Sequence, residues 1–156
     1  MFWQKNKIIF KNNISNALRS LSDPHNNDKN TGPLWQPKFM YEYVNKTSDN
    51  GGVHTNSGIP NFAFYLMATS NNMNRLKASK IYYYALSNYL TNNSNFTDLR
   101  LAVVKSAQNL YGTTEALLAN IAFDSVGIFD GVSPSIEKKL IPKFFTSSFL
   151  SESEGS

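Results

Sequence analysis

The sequence contains no cysteine and only two histidines, and each scarcity excludes a kind of chemistry. Without cysteine, the chain can form neither disulfides nor a thiolate metal site, and it has no cysteine nucleophile. With His25 and His54 as its only imidazoles, it cannot build a histidine-rich metal site. The absence of cysteine leaves the cellular compartment open, because many secreted bacterial proteins also lack it.

Long apolar runs and clustered charge are also missing, which narrows the possible partners. No run is long enough to span a bilayer, and the N-terminal stretch MFWQKNKIIF is too polar for a signal peptide. The signal of an exported protein would therefore lie outside this chain. The formal net charge is +4, and the lysines and arginines are scattered rather than grouped. We therefore expect neither a membrane nor a nucleic acid as a partner.

What the sequence does contain is helical periodicity from about residue 57 onward. Four successive segments carry apolar residues at helical spacing: SGIPNFAFYLMATS, NRLKASKIYYYALSNYL, FTDLRLAVVKSAQNLYG and EALLANIAFDSV. The first 50 residues are instead rich in turn formers. The sequence thus predicts an all-α fold, a helical bundle of about four to five helices behind a loop-rich N-terminal segment.

Capping chemistry predicts where these helices begin and end. The expected N-caps are Asn56 or Ser57 for the first helix, Ser94 or Asn95 for the third, and Thr113 or Thr114 for the fourth. The expected C-terminal glycines are Gly112 and Gly127. The apolar faces are expected to be buried, including Ala63, Phe64, Met67, Ala78, Ile81, Tyr82, Ala85, Leu86, Tyr89, Leu99, Val103, Ala107 and Leu110. Residues 1–128 are expected to form the helical domain, and residues 129–156 a partly flexible extension.

Two short stretches hold the candidate chemistry, and each has an ordinary structural explanation. In DNGGVHTNSGIP, residues 49–60, Asp-Asn-Gly-Gly is good turn sequence, and His54 is explained as a capping or surface imidazole. In ALRSLSDP, residues 17–24, Arg19 is explained as a surface or salt-bridging arginine. His25 is expected on an exposed loop. Spacing alone favours these explanations over a catalytic role.

Both stretches, however, resemble segments of the thermolysin family of zinc metallopeptidases. In that family Asp-Asn-Gly-Gly-Val-His is followed by Asn-Ser-Gly-Ile and an apolar helix, and Leu-Arg-Ser-x-Ser-Asp-Pro precedes the histidine motif. KIYYYALSNYLTNNSNFTDLRLAVVKSAQNLYG and AFDSVGI are similar to helices of the family's C-terminal domain. Because the resemblance runs in order from about Ser15 to Ile128, the chain is identified as a member, restricted to the C-terminal helical domain.

The resemblance implies roles for four residues. His54 would donate a hydrogen bond to the oxyanion of the tetrahedral intermediate, and Asp49 would accept from its other ring nitrogen and fix the tautomer. The glycine pair would let the chain fold back so that the two meet, and a helix beginning just beyond His54 would add positive potential. Arg19 would bind the substrate carbonyl beside the scissile bond, with Leu18 in the apolar wall of the specificity pocket.

The resemblance also implies a zinc ion that this chain does not bind. The family's zinc ligands are two histidines of His-Glu-x-x-His and a downstream glutamate, and the glutamate inside the motif is its general base. This motif does not occur here, and its expected place is before the point where this sequence begins. We therefore expect zinc in the complete enzyme and an inactive isolated chain. Calcium binding by this chain is doubtful, because FWQKNK carries lysines where relatives have glycine and acidic calcium-binding residues.

Three further positions depart from the family pattern. Lys38 and Phe39 replace the usual aspartate and histidine, and Phe62 replaces a lysine. None of these changes touches the four residues assigned to the site, so the expected catalytic roles survive them.

Two functional hypotheses follow. In the first, the chain is the C-terminal domain of a secreted or extracellular thermolysin-like endopeptidase, whose partners are its own N-terminal catalytic domain and a peptide or protein substrate. In the second, it is a non-catalytic binding or regulatory module that keeps the motif through ancestry. An upstream coding region containing His-Glu-x-x-His would favour the first.

Overall fold

The computed structural model describes residues 19–26 and 34–130. Within these residues the chain forms one short 3-10 helix, five α-helices and no strand, which confirms the all-α prediction. The 3-10 helix spans Met40–Glu42, and the α-helices are α1 (Asp49–Asn56), α2 (Gly58–Thr69), α3 (Arg75–Asn88), α4 (Phe96–Leu110) and α5 (Thr113–Ser125). The four segments with helical periodicity correspond to α2 through α5.

The chain divides into two compact units. The first contains the described residues up to Leu66 together with Ala122–Ile128, and the second contains Met67–Ile121 with Phe129 and Asp130. The described residues that the sequence assigns to the site all belong to the first unit. The predicted extension lies outside the described residues beyond Asp130.

In the first unit, apolar residues of α2 form much of the core. Ile59 and Ala63 are fully buried, and Phe64 is 2% exposed. Burial of apolar surface contributes about 25 cal/mol per Å² and is the main force holding such a core together. The loop before α1 is fastened to the same unit by a 2.8 Å hydrogen bond from the Met40 N–H to the Val126 carbonyl.

In the second unit, α3 packs against α4 through faces that contain several alanines. Small side chains allow two helices to approach closely, while the larger apolar residues fill the space around them. The buried apolar residues of the two helices are Ala78, Ile81, Tyr82 and Ala85 on α3, and Leu99, Ala102, Val103 and Ala107 on α4. All but Ala102 were expected from the sequence.

Both ends of α4 and the C-terminal end of α5 follow the predicted chemistry. Asn95 caps α4: its side chain accepts from the Asp98 N–H at 3.0 Å, and the Asp98 carboxylate accepts from the Asn95 N–H at 2.9 Å. A cap of this kind stabilises a helix by about 1 kcal/mol. Gly112 and Gly127 follow α4 and α5 with φ of +109° and +82°, the left-handed conformation expected at these ends.

The junction of α1 and α2 differs from the prediction. Ser57 is not an N-cap, because its backbone is right-handed helical (φ −61°, ψ −15°) and its N–H donates to the Val53 carbonyl at 3.1 Å. Asn56 lies inside α1, and the Ser57 carbonyl accepts from the Asn61 N–H at 3.1 Å. Helix α2 begins at Gly58, four residues beyond His54, so a helix N-terminus does follow His54, and the positive potential expected from it stays a prediction.

Two smaller predictions are also wrong. Leu86 and Leu110, in the last turns of α3 and α4, are 37% and 40% exposed, because the apolar stripe in the sequence extends past the part of each helix that the fold covers. Thr113 and Thr114 lie inside α5 rather than capping it, since the Ala116 N–H already bonds to the Gly112 carbonyl at 3.2 Å.

Candidate active site

Four consecutive residues, Asp49 to Gly52, adopt the left-handed conformation. Their φ values are +59°, +48°, +80° and +80°. Glycine reaches this region without strain, and aspartate and asparagine are the residues with side chains that tolerate it best. The Gly52 N–H donates to the Ser48 carbonyl at 3.1 Å, which closes the turn. This left-handed turn folds the chain back toward the right-handed part of α1, where His54 lies.

The turn brings the Asp49 carboxylate to His54 by two hydrogen bonds. Asp49 Oδ2 accepts from the His54 peptide N–H at 3.0 Å, and Asp49 Oδ1 is bonded to ring atom Nδ1. Because an ionised carboxylate only accepts, Nδ1 carries the hydrogen in this pair. The contact fixes both the orientation and the tautomer of a ring whose side chain is 56% exposed.

These contacts also keep Asp49 ionised. The hydrogen bond from the His54 ring lowers the pKa of the Asp49 carboxyl below its ordinary value, and peptide N–H groups of His54 and Thr55 lower it further. Hydrogen bonds to the charged form are the cause, since each is lost on protonation. A fixed negative charge therefore stands beside Nδ1 at neutral pH.

Arg19 is held close to the same residues through Ser57. One terminal nitrogen of its guanidinium donates to Ser57 Oγ at 2.6 Å, and Ser57 Oγ in turn donates to the His54 carbonyl at 2.9 Å. Gln36 Nε2 also donates to the His54 carbonyl. The structure thus places Arg19, Asp49 and His54 in one hydrogen-bonded group. Leu18 lies outside the described residues.

Sequence reasoning missed Gln36 and treated Ser57 only as a cap. Gln36 is 7% exposed, a depth at which a polar side chain requires partners. Its contacts join residues 18 and 21 positions apart, so no local pattern reveals them. The available indication was a serine three residues after a histidine, a spacing at which a hydroxyl commonly bonds back to a helical carbonyl.

His25 is not on an exposed loop as predicted. Its side chain is 25% exposed, its Nε2 lies 3.0 Å from Glu42 Oε2, and its ring stacks on Trp35 with centroids 5.5 Å apart. Glu42 Oε2 also accepts from the peptide N–H groups of Lys38 and Phe39, at 2.7 and 3.1 Å. His25 therefore connects its own loop to Trp35 and Glu42, and it does not join the hydrogen-bonded group around His54.

The residues do not fit a metal site. Across residues 19–26 and 34–130, no three or more histidine, aspartate or glutamate side chains are grouped so as to hold a metal ion. The FWQKNK strip, where calcium binding was considered, lies outside the described residues.

Among the helices of the described residues, none is long and apolar enough to cross a membrane.

Fold and site together define an all-α domain in which an oriented imidazole and a guanidinium belong to one hydrogen-bonded group. A family model described as "Thermolysin metallopeptidase, alpha-helical domain" matches residues 3–128. The chain therefore belongs to the thermolysin-like metallopeptidase family, as its C-terminal α-helical domain. This confirms the resemblance seen in the sequence.

Individual relatives agree with this assignment. The extracellular elastase of Staphylococcus epidermidis is 44% identical over 112 residues, which are 72% of this chain and 20% of the elastase. Thermolysin of Alicyclobacillus acidocaldarius subsp. acidocaldarius is 38% identical over 138 residues, 81% of this chain and 24% of the relative. The chain thus spans about a fifth to a quarter of the length of the curated relatives it matches.

A solved structure shows the same fold. The precursor of protealysin, a metalloproteinase from Serratia proteamaculans, is 36% identical and superposes with a TM-score of 0.61. The match covers 72% of this chain and 36% of that chain.

Proposed function

We propose that this chain is the C-terminal domain of a thermolysin-like zinc metalloendopeptidase. It supplies His54 and Arg19 to a cleft whose zinc ligands and general base belong to an N-terminal domain. The observation that carries the proposal is the Asp49–His54 pair. A capping or surface histidine does not need four consecutive left-handed residues to bring a carboxylate to its ring.

His54 acts on the negative charge that develops during peptide hydrolysis. The carbonyl oxygen becomes an oxyanion in the tetrahedral intermediate, and a donor fixed at that position stabilises the transition state more than the substrate. Because Nδ1 bonds to Asp49, the ring presents Nε2 to the substrate. Donation from both nitrogens uses the imidazolium, whose positive charge is balanced by ionised Asp49.

Arg19 binds the substrate carbonyl next to the scissile bond. A guanidinium has five N–H donors in one plane, and the bond to Ser57 engages only one terminal nitrogen. The remaining donors can form the pair of parallel hydrogen bonds that a lysine cannot supply. Leu18, the preceding residue, is proposed for the apolar wall of the adjoining specificity pocket.

The metal and the base are assigned to the N-terminal domain, because the described residues group no metal ligands. The isolated chain is therefore expected neither to retain zinc nor to cleave peptides. Its proposed partners are that domain and a peptide or protein substrate. An extracellular location is proposed because the Staphylococcus epidermidis relative is an extracellular elastase.

The test is the turnover of His54→Ala in the complete protease. We expect kcat on a peptide substrate to fall by about 100-fold or more, the usual loss for one oxyanion donor, with little change in KM. Val53→Ala is the matched control, since Val53 is also exposed and precedes His54 directly. An unchanged kcat in His54→Ala would contradict the oxyanion role of His54.

A further inference from the structure

The hydroxyl of Ser57 lies where the contacts of Arg19 and His54 meet. Its Oγ is 2.6 Å from a terminal nitrogen of Arg19, 3.3 Å from Gln36 Nε2 and 2.9 Å from the His54 carbonyl oxygen. Ser57 therefore physically links the two groups assigned to the substrate.

The direction of each hydrogen bond in this group is determined by its chemistry. Arginine and the amide nitrogen of Gln36 can only donate, so both lone pairs of the Ser57 oxygen accept. The single hydroxyl proton is then directed to the His54 carbonyl, which also accepts from Gln36 Nε2. Ser57 thus forms all three hydrogen bonds that a serine hydroxyl can form, one as donor and two as acceptor. An apolar residue at this position would form none of them.

Gln36 is fixed in place by its surroundings. Its own N–H donates to the Pro24 carbonyl at 2.9 Å, and its side chain is almost fully buried. It also packs against Gly58, where an added Cβ would lie 2.7 Å from Gln36 Cβ and 2.4 Å from the Pro37 oxygen. The close approach to Gly58 therefore holds the base of the Gln36 side chain, at its Cβ, in place.

We propose that Ser57 and Gln36 are positioning residues that hold Arg19 and the His54 backbone in a fixed position relative to each other. Ser57 orients the guanidinium, and together with Gln36 it anchors the peptide group from which the His54 ring projects. The structural coupling stands on these contacts alone, whereas its consequence for catalysis rests on the proposed function.

The coupling is tested by NMR on the 156-residue chain. In Ser57→Ala we expect hydrogen exchange of the Arg19 guanidinium to accelerate by about tenfold, because a hydrogen bond to a charged group is lost. We also expect the ¹³C resonance of the His54 carbonyl to shift upfield. Ser87→Ala, at an exposed serine on α3, is the control and should change neither. A folded Ser57→Ala chain with both signals unchanged would overturn the proposal.

Gln36→Glu probes the same group without removing the hydroxyl. The shape is kept, but an acceptor replaces the donor that faces the His54 carbonyl and Ser57 Oγ. We expect the same upfield shift of the His54 carbonyl, and none in the control Gln108→Glu, which is exposed on α4. An unmoved carbonyl resonance in Gln36→Glu would also count against the coupling.

The catalytic consequence is measured in the complete protease. Ser57→Ala should lower kcat/KM about tenfold, divided between a higher KM through Arg19 and a lower kcat through His54. Ser57→Thr, which keeps the hydroxyl, should restore most of the loss. In an Arg19→Lys background, Ser57→Ala should raise KM no further. If the NMR signals change but the kinetics do not, the proposed function is contradicted and the coupling is not. If the kinetics change but the NMR signals do not, the coupling is contradicted.

Discussion

At Gly52, two independent requirements exclude a side chain. The residue has φ of +80°, where other residues are strained, and an added Cβ would lie 2.9 Å from Nδ2 of Asn56. Asn56 is 2% exposed and forms a pair of hydrogen bonds with the Val44 backbone, at 2.9 and 3.0 Å. Gly51 shares the φ of +80°, but no atom lies within 4 Å of its position for a Cβ.

This difference predicts unequal costs for two equivalent substitutions. Gly51→Ala should lower the free energy of unfolding by about 1 kcal/mol, the strain of one left-handed residue. Gly52→Ala should cost at least about 2 kcal/mol, because it also displaces the buried amide of Asn56. Urea unfolding of the two variants measures both values. Equal costs would show that the contact with Asn56 does not constrain the turn.

Between elements, a salt bridge joins α3 to α5 and carries a dependence on pH. Lys77 Nζ lies 2.7 Å from Glu115 Oε1, and this hydrogen bond lowers the pKa of the Glu115 carboxyl. A carboxyl whose pKa is lower in the folded state stabilises the fold above its unfolded pKa, about 4.3. That contribution is lost as the pH falls through the lower folded value.

Glu115→Gln should therefore destabilise the chain at neutral pH and progressively less in acid. The difference in free energy of unfolding between wild type and variant should shrink as the pH falls through the lowered pKa of folded Glu115, where the wild-type carboxyl becomes protonated. Urea titrations between neutral pH and pH ~3 measure this difference, and Lys77→Gln should reproduce the pattern. A difference that stays constant over this range would assign the effect to something other than the salt bridge.

The three positions expected to depart from the family pattern contact one another. The rings of Phe39 and Phe62 meet edge to face with centroids 5.8 Å apart, and Lys38 Nζ lies 5.7 Å from the centroid of Phe62. Lys38 also pairs with Asp23 at 2.8 Å. Lys38, Phe39 and Phe62 thus form one aromatic and cationic cluster between the loop before α1 and α2.

Introducing a lysine at position 62 alone should disrupt this cluster. Phe62 is 5% exposed, so Phe62→Lys buries a second ammonium beside Lys38 and should cost about 3 kcal/mol or more. Phe62→Met keeps an apolar side chain of similar size and should cost less than about 1.5 kcal/mol. Thermal unfolding compares the two variants. Similar losses would mean that charge at this position does not matter.

For the whole molecule, the sequence predicted what local periodicity determines. Periodicity predicted α2 to α5, whereas the turn that brings Asp49 to His54 was expected only from the resemblance to the thermolysin family. It did not predict contacts across the chain. Arg19 meets Ser57 at a separation of 38 residues, and His25 meets Glu42 at 17, and no periodic pattern encodes either pair. Serine is a favourable N-cap residue, but Ser57 continues the helical turn before it, because its N–H donates to the Val53 carbonyl.

The central claim is that the oriented His54 ring serves a developing oxyanion. It is tested most directly by the affinity of the complete protease for a peptide analogue whose scissile amide is replaced by an anionic tetrahedral phosphonamidate. In His54→Ala, affinity for the analogue should fall by about 100-fold, in parallel with kcat/KM, while affinity for a ground-state peptide barely changes. Unchanged affinity for the analogue would contradict the claim.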